Sequence, residues 1–405
     1  MTEQAKVPAI RFAGFTDPWE QRKASEVFQI VDDRGHPTLP VLSATQNQGM
    51  IYRDDSGRYI GHDESNEIGY KRVLSGDFVV HLRSFQGGFA HSQYEGITSP
   101  AYTVFRAKEP TSHSDRFWKH WFMSEHFIAG LSTVTYGIRD GRSISVDEFM
   151  NTFLAFPAVE EQAAISRLLD YLDSLITLHQ RKYDKLVVFK KSMLEKMFPK
   201  DGESVPEIRF AGFTDPWEQR KLSEVATFGG GHTPPMADPD NYEDGYVLWV
   251  TSQDVKSNYL DRTTTQITEK GAKELTLYPA GSLVMVTRSG ILRHTLPVAE
   301  LRKPSTVNQD IRVILPQGEC CGEWLLQFFI SHNKELLLEF GKTGTTVESV
   351  DFGKIKDMLL YMPSTVEQQQ IGDFFAKLDS LITLHQRKLE LLRNIKKSLL
   401  DKMFV

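Results

Sequence analysis

Two acidic residues and a lysine in the second half of the chain have the spacing of a metal-dependent nuclease site. Pro239-Asp240 is followed by Asp254-Val255-Lys256, a loose PD…DxK pattern. In such a site the carboxylates hold Mg²⁺ beside the lysine. The pattern occurs in one half of the chain only. It predicts Mg²⁺-dependent cleavage by the isolated chain, abolished by Asp254→Ala, and it stands as an alternative.

Other catalytic signatures are incomplete. Residues 229–231 (GGG) are not followed by the Gly-Lys-Ser/Thr of a phosphate-binding loop. The doubled proline beside an aromatic residue that marks methyltransferases is missing, because residues 17–19 (DPW) have one proline and residues 233–236 (TPPM) have no aromatic residue. The two cysteines, Cys320 and Cys321, are adjacent, which fits neither a zinc site nor a disulfide framework. We expect no catalytic residue, no metal and no cofactor.

The composition is that of a globular protein with several domains. The chain has 405 residues, of which 40% are hydrophobic and 25% charged, a length that indicates about two to four domains. The net charge of −6 argues against simple polyelectrolyte binding to nucleic acid, so any DNA contact must be local or shared with partner subunits. No apolar run long enough to span a membrane and no signal-peptide pattern occurs, which predicts a cytoplasmic protein without membrane contact.

Two segments of the chain occur twice. Residues 172–182 (LDSLITLHQRK) recur without change as residues 378–388. Residues 10–27 recur as residues 208–225 with one substitution, Ala24 against Leu222. Such identity indicates an internal duplication.

The blocks between the repeats differ from each other. They contain short apolar runs typical of strands, and they do not align except near their ends. We call the repeated parts of the chain the frame and the blocks between them the inserts. A frame that occurs twice favours a partner common to both copies, whereas two different inserts favour two different targets. The predicted segments are a leader (1–27), a first insert (28–153), a long helix (154–200), a second leader (201–225), a second insert (226–360) and a C-terminal long helix (361–405).

Each insert is followed by a long amphipathic helix that begins a few residues after Pro157 or Pro363. Residues 159–198 contain neither proline nor glycine, which predicts a helix of about forty residues, roughly 60 Å long. Each apolar stripe must be buried, and the duplicate helix is the obvious candidate. We therefore predict an α+β fold in which two mixed globular domains are joined by two long antiparallel helices, a coiled-coil rod, with a pseudo-two-fold axis and a circular arrangement.

The heptad positions identify the helix-pair interface. The predicted interface residues are Ile165, Leu172, Leu175, Ile176 and His179 of the first helix, and Ile371, Leu378, Leu381, Ile382 and His385 of the second. The two histidines are either ordinary partly exposed residues or a polar pair that sets the helix register. Asp173, Gln180 and Arg181, with their copies Asp379, Gln386 and Arg387, are predicted to form an outer face for identical partners.

The frames and inserts together resemble the specificity (S) subunit of type I restriction-modification systems. The resemblance rests on the helix entries 157–162 (PAVEEQ) and 363–368 (PSTVEQ), on the doubled leaders, and on the two dissimilar inserts. The inserts are similar to target recognition domains in residues 82–102 of the first and in residues 229–235, 248–255 and 287–310 of the second. The resemblance implies a non-catalytic subunit that reads a split, asymmetric sequence in double-stranded DNA. Two methyltransferase (M) subunits would dock on the helices, and restriction/translocase (R) subunits would join them.

Reading base edges requires side chains that hydrogen-bond in a fork, held close to a groove. Two such readers at the ends of a rod would contact half-sites about one helical turn, roughly 34 Å, apart. The predicted DNA contacts in the first insert are Arg83, Ser84, Gln86, Gly87, Arg139, Arg142 and Ser143. Those in the second insert are Thr251, Ser252, Gln253, Arg288, Ser289, Arg293, Lys342, Thr345 and Thr346.

Trp19 and Trp217, one in each leader, are predicted core anchors. A scaffold that joins other proteins through the helix rod without reading DNA is the alternative from another class, and it predicts indifference to DNA sequence.

Overall fold

The computed structural model describes residues 7–45, 48–56, 64–80, 88–131, 135–136, 143–200, 202–344 and 347–405. The chain forms two compact units. One contains Met1–Gln180 with Arg387–Val405, and the other contains Arg181–Gln386. None of the helices in the described ranges is long and apolar enough to cross a membrane.

The first half of the chain contains these elements in order: β1 (Glu20–Lys23), α1 (Ala24–Val27), β2 (Phe28–Val31), β3 (Leu42–Thr45), β4 (Gly49–Tyr52), β5 (Lys71–Val73), β6 (Phe78–Val80), β7 (Phe89–His91), β8 (Gly96–Thr98), β9 (Thr103–Ala107), α2 (Asp115–Trp121), α3 (Glu125–Leu131), β10 (Thr135–Tyr136), β11 (Ser143–Ile144), α4 (Val146–Asn151), β12 (Phe153–Phe156) and α5 (Val159–Lys196). All lie in the first unit except the part of α5 after Gln180, which belongs to the second.

The core of the first unit is an antiparallel sheet in the order β2-β9-β6-β7. Its strands are rich in aromatic and β-branched residues, which suit a pleated, half-buried surface. Phe28 and Phe105 are fully buried, and Phe28 meets Trp118 of α2 edge to face with ring centroids 5.2 Å apart. The helices therefore cover one face of this sheet.

The second half of the chain contains these elements in order: β13 (Glu218–Lys221), α6 (Leu222–Val225), β14 (Ala226–Gly230), β15 (Val247–Val250), β16 (Tyr259–Leu260), β17 (Gln266–Ile267), α7 (Glu269–Ala272), β18 (Leu283–Val286), β19 (Val298–Leu301), β20 (Thr306–Val307), β21 (Ile311–Pro316), α8 (Gly322–Ser331), α9 (Asn333–Phe340), β22 (Gly341–Lys342), β23 (Ser349–Val350), α10 (Phe352–Asp357), β24 (Leu359–Met362) and α11 (Thr365–Lys402). All lie in the second unit except the part of α11 from Arg387 onward, which belongs to the first.

The second unit repeats the strand order of the first although the insert sequences do not align. Its main sheet has the order β14-β21-β18-β19-β16, whose first four strands correspond to β2-β9-β6-β7. A smaller sheet, β17-β15-β20, has no counterpart of this order among the described strands of the first unit. The two inserts therefore share a core sheet and differ in what is added to it.

The leaders close both units in the same way. β1 pairs antiparallel with β12, and β13 pairs antiparallel with β24, each through four residue pairs. Trp19 and Trp217 are 4% and 3% exposed, which confirms that they are core anchors.

The long helices are also confirmed. α5 and α11 each contain 38 residues. In the first unit Lys396 pairs with Asp173, and Arg393 donates to Gln180 at 2.9 Å. The residue numbers rise on one helix as they fall on the other, so the helices are antiparallel there.

The second unit contains the same antiparallel contact between the two helices. Lys190 Nζ of α5 lies 2.6 Å from Asp379 of α11. The Phe198 ring, two residues after α5, lies against Phe375 with ring centroids 6.2 Å apart, so the residue numbers again rise on one helix as they fall on the other.

The chain end completes the first unit as α5 completes the second. The Ile10 N–H donates to the Lys402 carbonyl at 3.0 Å, and the Ile208 N–H donates to the Lys196 carbonyl at 2.8 Å. Phe404 packs against Trp19 in the first unit, with ring centroids 6.4 Å apart. The end of the chain therefore meets its beginning, and the predicted circular arrangement is confirmed.

Candidate DNA interface

Three strands of the second unit end at the same edge. β14 ends at Gly230 and β18 ends at Val286, and both ends pair with the first residues of β21. β15 ends at Val250, opposite Val307 of β20. The segments that follow these ends therefore lie together. We call this set the loop edge, and it comprises residues 231–235, 251–254, 287–293 and 308–310.

The hairpin β22–β23 joins the loop edge through Arg288. The backbone of Arg288 forms an antiparallel bridge with Ser349. The Ser289 N–H donates to the Glu348 carbonyl at 3.1 Å. The structure thus brings together the predicted contacts at 288–293 and the late loop that begins with Lys342.

Charged side chains at this edge are exposed and partly paired. Arg293 binds Glu348, and Lys342 lies 2.8 Å from Asp351. These hydrogen bonds hold the pKa of both carboxyl groups below their usual values. No carboxylate among the described residues lies within ion-pair distance of the exposed Arg288. Its guanidinium is therefore available to a phosphate or a base edge.

A tight turn fixes the segment after β15. The Thr251 N–H and hydroxyl both donate to Asp254 Oδ2 at 2.8 Å, and the Thr264 N–H and hydroxyl donate to Oδ1 at 2.7 and 2.6 Å. Burial favours a higher pKa for Asp254, but these hydrogen bonds outweigh it, so the pKa is lowered. Ser252 and the exposed Gln253 form the tip of this turn.

The nuclease pattern is not assembled into a metal site. Asp254 is saturated by hydrogen bonds within its own loop, and Asp240 lies 3.0 Å from Lys270. Within the described ranges these aspartates do not group as metal ligands. Their contacts are structural.

One group in the first unit does have metal-ligand spacing, namely His120, Asp170 and Asp173. Lys119 lies 3.1 Å from Asp170 and 3.6 Å from Asp173, and Lys396 also pairs with Asp173. These ammonium groups neutralise the carboxylates and would repel a cation. The cluster therefore fits an attachment of α2 to the long helices and not a metal centre.

The glycines at 229–231 are explained by close contacts. A Cβ on Gly231 would lie 1.8 Å from the Val307 carbonyl oxygen. The Tyr278 hydroxyl donates to the Gly230 carbonyl at 2.7 Å and accepts from its N–H at 2.8 Å. The glycines thus let β14 approach its neighbours.

Sequence reasoning missed a pair at this edge. The Thr233 hydroxyl donates to Gln309 Oε1 at 2.6 Å. Both residues fall in segments that carry the family resemblance, but their separation along the chain gave no sign that they meet.

Several predicted contacts lie outside the described residues. These are Arg83, Ser84, Gln86, Gly87, Arg139, Arg142, Thr345 and Thr346. Ser143 is the first residue of β11, and its side chain is also outside the description. Residues 81–88 connect β6 to β7 in the chain, as residues 287–297 connect the corresponding β18 to β19. All these DNA contacts stay predictions.

Identical ion pairs hold each leader to its long helix. Arg11 binds Glu161 through two hydrogen bonds of 2.9 and 2.6 Å. Arg209 binds Glu367 in the same way at 2.8 and 2.7 Å. Both glutamates are buried, with side chains 2% and 1% exposed.

The glutamine that follows each glutamate joins the insert to the helix. Gln162 donates to the Pro157 carbonyl at 2.8 Å and accepts the Ser114 N–H just before α2 at 2.9 Å. Gln368 donates to the Pro363 carbonyl at 2.9 Å and accepts the Cys321 N–H just before α8 at 2.9 Å. The PxxEQ-type entry is thus a joint between leader, insert and long helix.

The predicted helix-pair residues are buried to different degrees. Ile165, Leu172, Ile371 and Leu378 are 1%, 7%, 2% and 7% exposed. Leu175, Ile176, His179, Ile382 and His385 are partly buried, and Leu381 is 43% exposed. In the first unit the buried part of the stripe meets the chain end, because Ile165 and Leu172 belong to one cluster with Leu400 and Met403.

The expectation that Asp173 and Asp379 lie on an outer face is wrong. Asp173 pairs with Lys396, and Asp379 pairs with Lys190. The two pairs are copies of each other, since each residue of one pair lies 206 positions from its counterpart in the other. The aspartates therefore bind the opposite helix and fix its register.

Most of the second unit lies within a known domain. Residues 214–394 match the family model of the "Type I restriction modification DNA specificity domain". The chain is 30% identical over 166 residues to the EcoR124I/EcoR124II specificity subunit of Escherichia coli, which covers 40% of this chain and 41% of that protein. It is 28% identical over 194 residues to the MjaIX specificity subunit of Methanocaldococcus jannaschii, 47% of this chain and 44% of that protein. The aligned parts thus span less than half of either relative.

A solved structure extends the likeness in fold to the whole chain. The S subunit of a type I restriction-modification system from M. genitalium superposes with a TM-score of 0.65, covering 99% of both chains at 12% identity. This likeness concerns the fold alone. Residues 214–394 thus carry a type I restriction modification DNA specificity domain, and parts of the chain are similar in sequence to type I restriction enzyme specificity subunits.

Proposed function

We propose that this chain is the DNA-specificity subunit of a type I restriction-modification enzyme and reads a bipartite, asymmetric DNA site. Each insert acts as a target recognition domain for one half of the site. One observation carries this proposal. Both inserts have the same core sheet and are held by the same frame, but the loops at the ends of their strands have different residues. A common frame with different reading loops is what an asymmetric pair of half-sites requires.

The loop edge of the second unit has chemistry suited to DNA. Arg288 and Gln253 are exposed and carry groups that bind base edges. Arg293 and Lys342 are exposed although their carboxylate partners are partly buried, so both cations are accessible to phosphates. We expect phosphate contacts to position the domain and base contacts to give the sequence preference.

The proposed division of the chain follows the repeats. The recognition domains are residues 28–153 and 226–360, and the frame consists of the leaders 1–27 and 201–225 with the helical segments 154–200 and 361–405. Two methyltransferase subunits would dock on the frame, and restriction subunits would join them. Catalysis would then belong to those partners, and this chain would determine which DNA sequence they act on.

The test uses this chain in complex with its methyltransferase partner. We expect the complex to shift one DNA duplex in preference to others of equal length and charge. Arg288→Ala should weaken the preference at one half of the site only, whereas Arg220→Ala, on the exposed frame strand β13, should leave it unchanged. Equal binding to all duplexes would favour the scaffold alternative. Mg²⁺-dependent cleavage by the isolated chain, lost in Asp254→Ala, would favour the nuclease alternative.

A further inference from the structure

The turn between β20 and β21 holds a glutamine at the centre of the loop edge. The Ile311 N–H donates to the Asn308 carbonyl at 3.4 Å, which closes a four-residue turn with Gln309 at its second position. Asn308 Oδ1 accepts the Asp310 N–H at 3.0 Å. Gln309 itself is exposed, whereas Asn308 is 6% exposed.

Neighbouring strands fix this turn from both sides. The Asn308 N–H donates to the Val250 carbonyl at 3.0 Å, where β15 ends. On the other side the Thr287 N–H and hydroxyl donate to the Asp310 carbonyl at 2.8 and 3.0 Å. Gln309 is therefore flanked by the segments that carry Gln253 and Arg288, and its backbone has little freedom to move.

The side chain of Gln309 is oriented as well. The Thr233 hydroxyl donates to Gln309 Oε1 at 2.6 Å, which holds this oxygen beside Thr233. A carboxamide oxygen accepts two hydrogen bonds, and the amide nitrogen donates two. Among the residues that the structure describes, Thr233 is the one hydrogen-bond partner of this carboxamide, which leaves one acceptor position and both donors for a ligand.

That pattern matches one base. The edge of adenine in the major groove offers the N6 amino donor beside the N7 acceptor, and glutamine binds both at once. We propose that Gln309, held by Thr233, is a specificity-determining residue that reads an adenine in the half-site of the second recognition domain. This proposal rests on the function proposed above.

The corresponding turn of the first unit lacks such a group. Residues 99–102 (SPAY) precede β9 as residues 307–310 (VNQD) precede β21, and they contain no carboxamide. The first domain must therefore read its half-site with other residues, in keeping with two unlike half-sites.

The same strand provides a matched control. Beyond the opposite end of β21, Gln317 Nε2 donates to the Thr227 hydroxyl at 3.0 Å, and Gln317 is also exposed. Gln309 and Gln317 are thus both exposed glutamines paired with a threonine, one at the loop edge and one at the far edge of the sheet. A general effect of removing a glutamine would appear in both variants.

The experiment maps modified bases genome-wide in cells that carry the complete complex with wild-type chain, Gln309→Ala, Gln309→Glu or Gln317→Ala. Wild type and Gln317→Ala should modify the same split sequence. Gln309→Ala should lose about 10- to 100-fold discrimination at one position of one half, the value of one bidentate contact. Gln309→Glu, which has no donor, should reject adenine there and favour cytosine.

The outcomes separate this proposal from the proposed function. An unchanged split sequence in both Gln309 variants would overturn the role of Gln309 and leave the proposed function standing. Loss of discrimination in both halves of the site would also overturn the role of Gln309, because a general loss of folding or assembly would then explain the result. No sequence-specific modification with the wild-type chain would overturn both.

Discussion

At the residue scale, Glu367 joins its long helix, α11, to the second leader. Its side chain is 1% exposed and binds Arg209 through two hydrogen bonds. Removing one partner of a buried ion pair leaves a buried charge without compensation. We expect Glu367→Gln to lower the free energy of unfolding by about 3 kcal/mol, measured by urea unfolding.

An exposed pair in the same frame serves as the control. Glu218 pairs with Arg220 on β13, and their side chains are 74% and 49% exposed. Glu218→Gln should change the free energy of unfolding by less than about 1 kcal/mol. If Glu367→Gln were as mild as Glu218→Gln, the Glu367 pair would not be what secures the leader.

Glu300 makes the stability of the second unit depend on pH. Burial, with the nearby Glu323, raises the pKa of Glu300 to about 7 despite the opposing charge of Arg302, 3.1 Å away. A carboxyl group with a raised pKa stabilises the fold fully at low pH, and this contribution is lost as the pH rises through 7. Glu300→Gln should therefore be more stable than wild type at pH 8 by roughly 1 to 3 kcal/mol.

Urea unfolding at pH 5 and pH 8 measures this effect. The advantage of Glu300→Gln should shrink at pH 5, where the wild-type carboxyl group is largely protonated. Glu243→Gln, at an exposed position, should have the same free energy of unfolding as wild type at both pH values. A constant difference between Glu300→Gln and wild type would show that Glu300 does not titrate in this range.

At the scale of elements, the ion pair of Lys190 with Asp379 fixes the contact between the long helices in the second unit. The two side chains are 9% and 12% exposed. Asp379→Leu alone should cost about 3 kcal/mol, since Lys190 would be left buried without its partner. Lys190→Met with Asp379→Leu should restore much of that loss, because an apolar pair replaces a buried ion pair at little cost.

A double-mutant cycle from urea unfolding measures the coupling. We expect the two changes to be non-additive by more than about 1 kcal/mol, as for residues in direct contact. Additive effects would mean that the two residues act independently and that other contacts set the helix register.

The repeats predicted the frame well because they are local and periodic. The apolar spacing of α5 and α11 marked their length, and the residues after each proline marked their start. Asp379 was misplaced for a physical reason. Its outward position in the heptad says nothing of Lys190 on the other helix, or of Asn258 from the insert, which donates to Asp379 at 3.0 Å.

The candidate site was predicted in part. Arg288 and Gln253 were identified from residue type beside turn signals, and the structure brings their segments to one edge. Gln309 and Thr233 were not identified, because their contact joins residues 76 positions apart and depends on strand order. The sheet that the two inserts share could not be predicted from the sequence either. Two dissimilar sequences can form the same strand pairing, so the lack of alignment gave no sign of a common strand order.

At the scale of the whole molecule, the frame repeats its contacts and the inserts do not repeat their sequence. Both leaders, both PxxEQ-type joints and both long helices repeat the same contacts, whereas the ends of the two core sheets carry different residues. We therefore expect the two inserts to be interchangeable within the frame. Each should keep its own half-sequence wherever it is placed.

The most direct measurement is the sequence modified by a chain in which residues 226–360 are replaced by a second copy of residues 28–153. Mapped genome-wide with the methyltransferase partner, this chain should modify a site with the same half-sequence on both sides of the spacer. The wild-type chain should modify a site with two unlike halves. A chimera that still requires the wild-type second half would contradict the assignment of one half-site to each insert.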